Sequence, residues 1–154
     1  MPLTHVQRDK IVIEARTWLG TPYCGWSRSK GNGVDCGQLL AGTFIGAGFL
    51  PEDLQLPAYY SLTVAQHKED TEYIEKVEEY MREITEAEAG AGDVVVYKLG
   101  LAFAHAGIIV HWPDHIIHAW RRHGVCGAHG KNEPRFRKCE RKFYTLREQF
   151  IGSK

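Results

Sequence analysis

No long apolar run interrupts this sequence, and no stretch approaches the roughly 20 consecutive apolar residues of a membrane helix. The N-terminus, MPLTHVQRDK, lacks the apolar segment and small-residue cleavage site that export requires, so the expectation is synthesis without a signal peptide. Charge of one sign is not in excess either. Lys plus Arg and Asp plus Glu both number 19, which gives no bulk positive field to draw in nucleic acid. Cysteine is scarce, at four in 154 residues, and without an export signal reduced thiols are expected at Cys24, Cys36, Cys126 and Cys139. Internal repeats and low-complexity tracts are missing too. What remains is ordinary globular composition, 44% hydrophobic and 25% charged, in a length that suits one domain spanning 1–154. The charge is uneven along the chain: residues 69–88 are rich in Glu, and residues 121–142 carry a basic cluster.

The pattern of apolar residues predicts helices first and strands later. Thr4 and Gln7 have capping-box spacing, and Ile11, Ala15, Trp18 and Leu19 follow at i, i+4, i+7, i+8, until Gly20 and Pro22 end the helix. A Gly- and Ser-rich loop covers 21–34. A second helix starts at Asp35 or Cys36, with Cys36, Leu40, Phe44 and Ala47 on one face and Gly48 as its stop. A Pro-punctuated loop covers 51–63. A third helix is read over about 64–84, with Tyr73, Val77, Tyr80 and Ile84 on one side and His67 on the solvated side. From Gly90 onward β-branched residues take over. Strands are read at Asp93–Tyr97, Ala106–Trp112 and His115–Trp120, with a weaker one at Lys142–Leu146. The fold class is therefore α+β, with N-terminal helices packed on one side of an antiparallel sheet.

Cys36 stands out chemically. Asp35 before it can cap the helix, which places the sulfur in the first turn, where free N–H groups and the helix dipole favour a thiolate. Gly37 leaves the sulfur approachable. A nucleophilic thiol needs a base within hydrogen-bond reach and a third group to orient that base. His105 begins the run HAGIIVHW among small neighbours, and His118 lies in the next strand, HIIHAW. If Pro113–Asp114 formed a two-residue turn, His118 would oppose Ile109. The two histidines would then share a face but stand about 13 Å apart along the strand, so contact requires a shifted register or a bulge. A buried inert cysteine and ordinary sheet histidines remain the competing readings of these three residues.

Tyr23, Asp35–Cys36, Gly92–Asp93–Val94–Val95, His105–Ala106–Gly107–Ile108 and Ile117–His118–Ala119, taken in order, resemble the NlpC family of cell-wall cysteine peptidases. The resemblance runs from about residue 8 to 120 and implies a papain-like core. It implies Cys36 as nucleophile, His105 as general base, His118 as the polar third member, and Tyr23 as a hydroxyl near the nucleophile. It implies peptidoglycan stem peptides as substrate, often cut between D-γ-glutamate and a diamino acid, without a cofactor. The insert at 51–88 and the lack of an export signal are similar to the phage and prophage tail branch, which implies tail proteins as partners and delivery on a virion or by lysis. Two features depart from the family pattern: Gly37–Gln38 replaces the usual Ser-Gly after the nucleophile, and Cys24 and Trp26 stand where smaller or polar residues are common.

Two rivals stay open. His115, His118, His123, Cys126 and His129 fall within fifteen residues and carry zinc-type donors, but no recognised ligand spacing accompanies them. The chain could also be a non-catalytic wall-binding or tail structural module on the same fold.

Overall fold

The computed structural model describes residues 2–56 and 71–152. Helix α1 spans His5–Thr17. Its start follows from the capping box: Thr4 Oγ1 accepts from Gln7 N–H at 3.2 Å, and Gln7 Oε1 accepts from Thr4 N–H at 2.8 Å. Ile11, Ala15 and Trp18 of the expected stripe are buried, whereas Leu19 is 47% exposed, because the chain has already left the helix there. The loop expected over 21–34 contains a small hairpin, β1 (Arg28–Ser29) and β2 (Gly33–Val34). Helix α2 spans Cys36–Gly46, and Gly48 follows it with φ +91°, a left-handed conformation that glycine adopts at little cost.

The long third helix is shorter than its periodicity suggests. Helix α3 spans Glu72–Tyr80, and the chain then extends as strand β3, Met81–Ile84. Ile84 therefore contributes from a strand. Residues 64–70 of the expected helix, with His67, lie outside the described residues. The remaining elements are β4 (Val94–Leu99), β5 (Ala102–His111), β6 (His115–Trp120), β7 (Gly124–Ala128), β8 (Arg141–Leu146) and a last turn of helix, α4 (Glu148–Ile151).

Strands β3 to β8 form one antiparallel six-stranded sheet in the order β3-β8-β4-β5-β6-β7. Period-two alternation divides its side chains between two layers. On one face, Val94, Val96, Ala106, Ile108, Ile117 and Ala119 pack against Ile11 and Ala15 of α1 and Leu39, Leu40 and Phe44 of α2. On the other, Val95, Tyr97, Ile109, Ile116 and Phe143 pack against Phe136, carried by the segment between β7 and β8. The helices thus cover one side, as expected, and a loop layer covers the other. Burial on both faces explains why β4 reads as an unbroken apolar run. A partly buried ion pair ties helix to sheet. Arg8 of α1 reaches Asp93 at 3.0 Å, and Asp93 also accepts from Gly90 N–H at 2.9 Å and Thr145 Oγ1 at 2.6 Å.

The β5–β6 register differs from the two-residue-turn expectation. His111 pairs with His115, which leaves Trp112–Asp114 as a three-residue turn, and an irregularity between Ile109 and His111 shifts the ladder again. His118 consequently stands opposite Gly107 instead of Ile109.

Candidate active site

Cys36 is the first residue of α2, and Asp35 caps that helix, its Oδ1 accepting from Gln38 N–H at 2.8 Å. The other carboxylate oxygen accepts from Trp26 N–H at 2.6 Å, so one side chain fixes both the helix start and the loop before it. Tyr23 is held beside this start by a parallel bridge to Val34. Strand β7 supports that loop from below: Gly20 N–H donates to Val125 O at 3.0 Å, and Val125 N–H donates to Thr21 O at 2.9 Å. A side chain at Gly124 would put its Cβ 2.5 Å from Thr21 O, so glycine is required for this approach.

The thiol rests against the main chain of β5 on both sides of His105. Cys36 Sγ lies 3.6 Å from Ala104 O, and the Ala106 N–H also bonds the sulfur. The register of β4 and β5 shifts at this point, after Tyr97↔His105, so Ala104 bulges toward the helix tip. Tyr73 of α3 completes the enclosure, its hydroxyl donating to Sγ at 3.7 Å. Cys36 is only 1% exposed.

The two histidines meet on the other side of the sheet. His105 Nε2 lies 2.8 Å from His118 Nδ1. Both rings are fully buried in an aromatic box: Trp120 stands edge-on to His105 at 4.7 Å between centroids, and Phe136 lies 5.7 Å from His105 and 5.6 Å from His118. Arg135 closes the box over Trp120, its guanidinium 4.7 Å from the ring. On the far side of His118, Nε2 lies 3.7 Å from Cys126 Sγ. His105 Nδ1 is buried and has no hydrogen-bond partner among the described residues.

The structure thus brings His105 and His118 into direct contact and sets Cys36 against the backbone that carries His105. The thiol and the imidazole do not share a hydrogen bond here, since Nδ1 has no partner and the thiol donates to a carbonyl. Tyr23 is near enough to the sulfur for their negative forms to repel, which together with burial keeps the phenol neutral.

The charge state also differs from the sequence-based expectation of a thiolate at the helix tip. Burial, with the Asp35 carboxylate adding to it, pushes the Cys36 thiol up to about 12. Burial first, and then the charges of His118 and Arg135, hold His105 well below the ordinary histidine range. His118 is pushed down to about 4, again chiefly by burial. The resting pair is therefore neutral thiol and neutral imidazole, because desolvation outweighs the helix dipole.

Several participants were not legible beforehand. Tyr73 reads as one more apolar position of a helix. Trp120 follows His118 by two residues, and strand parity alone puts it on the same face. Cys126 could be placed only with β7, whose Gly-rich sequence carries little strand signal. Gln38, which departs from the family pattern, has Oε1 accepting from Arg28 at 3.2 Å, while Arg28 also donates to Leu54 O at 2.8 Å. No group of three or more His, Cys, Asp or Glu that could hold a metal ion occurs among the described residues.

Among solved structures the chain is similar to NlpC/p60 domains. The NlpC/p60 domain of the peptidoglycan hydrolase SagA matches with a TM-score of 0.57 at 17% identity, over 90% of this chain and 97% of that one. NlpC1 from Trichomonas vaginalis matches with a TM-score of 0.62 at 14% identity, over 96% of this chain but 45% of its own length. RipD from Mycobacterium tuberculosis, described as a non-catalytic NlpC/p60 domain protein adapted to peptidoglycan binding, matches with a TM-score of 0.55 at 14% identity, over 92% and 97%. No family model and no curated protein matches the sequence. At these identities the likeness defines the fold: a papain-like α+β domain of the NlpC/p60 type.

Proposed function

We propose that this chain is a cysteine peptidase that hydrolyses an amide bond in peptidoglycan stem peptides, with Cys36 as nucleophile, His105 as base, and His118 as the group that orients His105. One observation carries the reading. His105 is held by His118 through Nε2 while its Nδ1 is left without a partner, on a residue whose flanking backbone touches the Cys36 sulfur. In this structure the sulfur packs on the helix side of β5 and the His105 ring on the Phe136 side, so the proposal requires a local rearrangement at the Ala104 bulge that brings Nδ1 to the sulfur when substrate binds.

In the proposed reaction, the Cys36 proton passes to Nδ1 as the sulfur attacks the carbonyl carbon and a C–S bond forms. The Cys36 N–H and the neutral Tyr23 hydroxyl stabilise the oxyanion, and loss of one such donor typically costs about 10²–10³ in rate. Collapse breaks the C–N bond, and the leaving amine takes the proton from Nδ1. Water then hydrolyses the thioester and restores the thiol. Because thiol and imidazole rest neutral, proton transfer accompanies attack instead of preceding it.

Digestion of purified peptidoglycan with mass analysis of the fragments tests this proposal. The parent is expected to release cut stem peptides and Cys36→Ala none. Equal release by the two proteins would remove Cys36 from the chemistry.

A second reading has its own support. The 1% exposure of the sulfur suits a non-catalytic module that binds peptidoglycan, the function to which RipD is described as adapted. Cosedimentation with insoluble peptidoglycan without fragment release, the same for parent and Cys36→Ala, would favour it.

A further inference from the structure

We propose that Cys126 is a positioning residue: its sulfur accepts the Nε2 proton of His118, and this fixes which nitrogen of His105 is left bare. The inference rests on the reading of Cys36 and His105 as nucleophile and base.

Cys126 and His118 are direct cross-strand partners on β7 and β6, and cross-strand partners share a face. Cys126 Sγ lies 3.7 Å from His118 Nε2, His118 Nδ1 lies 2.8 Å from His105 Nε2, and His105 Nδ1 is buried with no partner among the described residues. Each neutral imidazole carries one proton, and the 2.8 Å contact holds one between the rings. Only two arrangements satisfy both conditions.

In the first, the Cys126 thiol donates to His118 Nε2. His118 then carries its proton on Nδ1 and donates it to His105 Nε2, which leaves the His105 proton on Nδ1. That is a buried N–H with no acceptor. In the second, His118 Nε2–H donates to Cys126 Sγ, and His105 Nε2–H donates to His118 Nδ1. His105 Nδ1 is then a bare lone pair. Orphaned buried N–H groups are rarer in proteins than under-used acceptors, which favours the second arrangement. It is also the only one of the two in which His105 can take a proton from Cys36 at Nδ1. The sulfur thus sets the direction of the whole relay. The acid most able to substitute is engaged elsewhere, since Glu133 accepts from Arg135 Nε at 2.6 Å.

The test uses the full chain labelled with ¹⁵N-histidine, and long-range ¹⁵N–¹H correlation near neutral pH reads the tautomer of each ring. The parent is expected to show both His105 and His118 protonated at Nε2. Cys126→Ser, which keeps an acceptor, should retain that pattern and the parental kcat. Cys126→Ala should move His118 toward a mixture of tautomers and lower kcat by less than the about 10²–10⁴-fold that a general base contributes, with little change in KM. A parent with His118 protonated at Nδ1, or a Cys126→Ala variant with unchanged tautomers, would overturn the proposal. The spectra need no turnover, so a chain that hydrolyses nothing would refute the peptidase reading and still decide this one.

Discussion

Nε2 of His105 meets Nδ1 of His118 on a diagonal across β5 and β6, since the ladder sets Gly107, two residues further on, directly opposite His118. The missing side chain at Gly107 keeps that diagonal clear. A Cβ there would lie 2.8 Å from Ile116 Cδ1 and 3.5 Å from His118 Cβ. The contact is therefore a product of strand register and one glycine, and it governs how His105 can act.

His118→Ala removes the partner that orients His105. If the proposed peptidase reading holds, a drop in kcat on the order of 10²-fold is expected, with KM little changed, because the variant would bind substrate without an aligned base. Initial rates on a defined stem peptide check this. A variant that turns over like the parent would show that His118 has no such role.

The same burial makes stability depend on pH. Both histidines have folded-state affinities for protons below the ordinary value, and His118 falls from 6.5 to about 4. The unfolded chain therefore binds more protons in that window, and stability falls as pH drops from about 6.5 toward 4. For His118 alone the loss is on the order of 3 kcal/mol, from 1.36 kcal/mol per pH unit. Urea midpoints measured across this range should fall less steeply for His118→Asn than for the parent. Parallel curves would mean that the ring is not held neutral.

Tyr73→Phe isolates the hydroxyl that bonds the Cys36 sulfur. That bond favours the ionised sulfur, so its loss should raise the thiol's proton affinity and slow iodoacetamide labelling of Cys36 at a fixed alkaline pH. The ring still covers the sulfur, so access stays constant. Peptide mass mapping follows the labelled residue, and unchanged or faster labelling would contradict the assignment.

Arg8→Met should destabilise the fold by about 2 kcal/mol, short of the 3–5 kcal/mol of a fully buried pair, because the arginine side chain is 18% exposed while Asp93 is fully buried. Replacing Arg8 leaves the carboxylate with two hydrogen bonds but no counter-ion. Thermal unfolding should show the drop, and a shift within error would mean that the neutral donors suffice.

Where local chemistry decides an element, the sequence was easy to read. Thr4 with Gln7, and Asp35 before Cys36, start helices by capping, and both caps form. Strands β4, β5 and β6 declare themselves through β-branched residues. The missed features depend on distant partners. Met81–Ile84 continues the periodicity of α3 but is drawn into strand by pairing with β8. Gly124–Ala128 becomes a strand because β6 lies beside it, and its glycine serves the approach of Thr21. The contact between His105 and His118 was legible only as shared parity, since turn length and bulge set the offset. The protonation of Cys36 is not legible in its local sequence for a related reason: the dipole of its own helix is local, but the burial that outweighs it comes from β5 and α3.

Trp120 stands edge-on to His105 at 4.7 Å. Protonated imidazole quenches indole emission at such range, so this residue is a built-in optical probe of the His105 charge. With Trp18, Trp26 and Trp112 replaced by phenylalanine, the remaining fluorescence in a stopped-flow cell would report whether His105 takes up a proton when peptidoglycan peptides are added, as the proposed reaction requires.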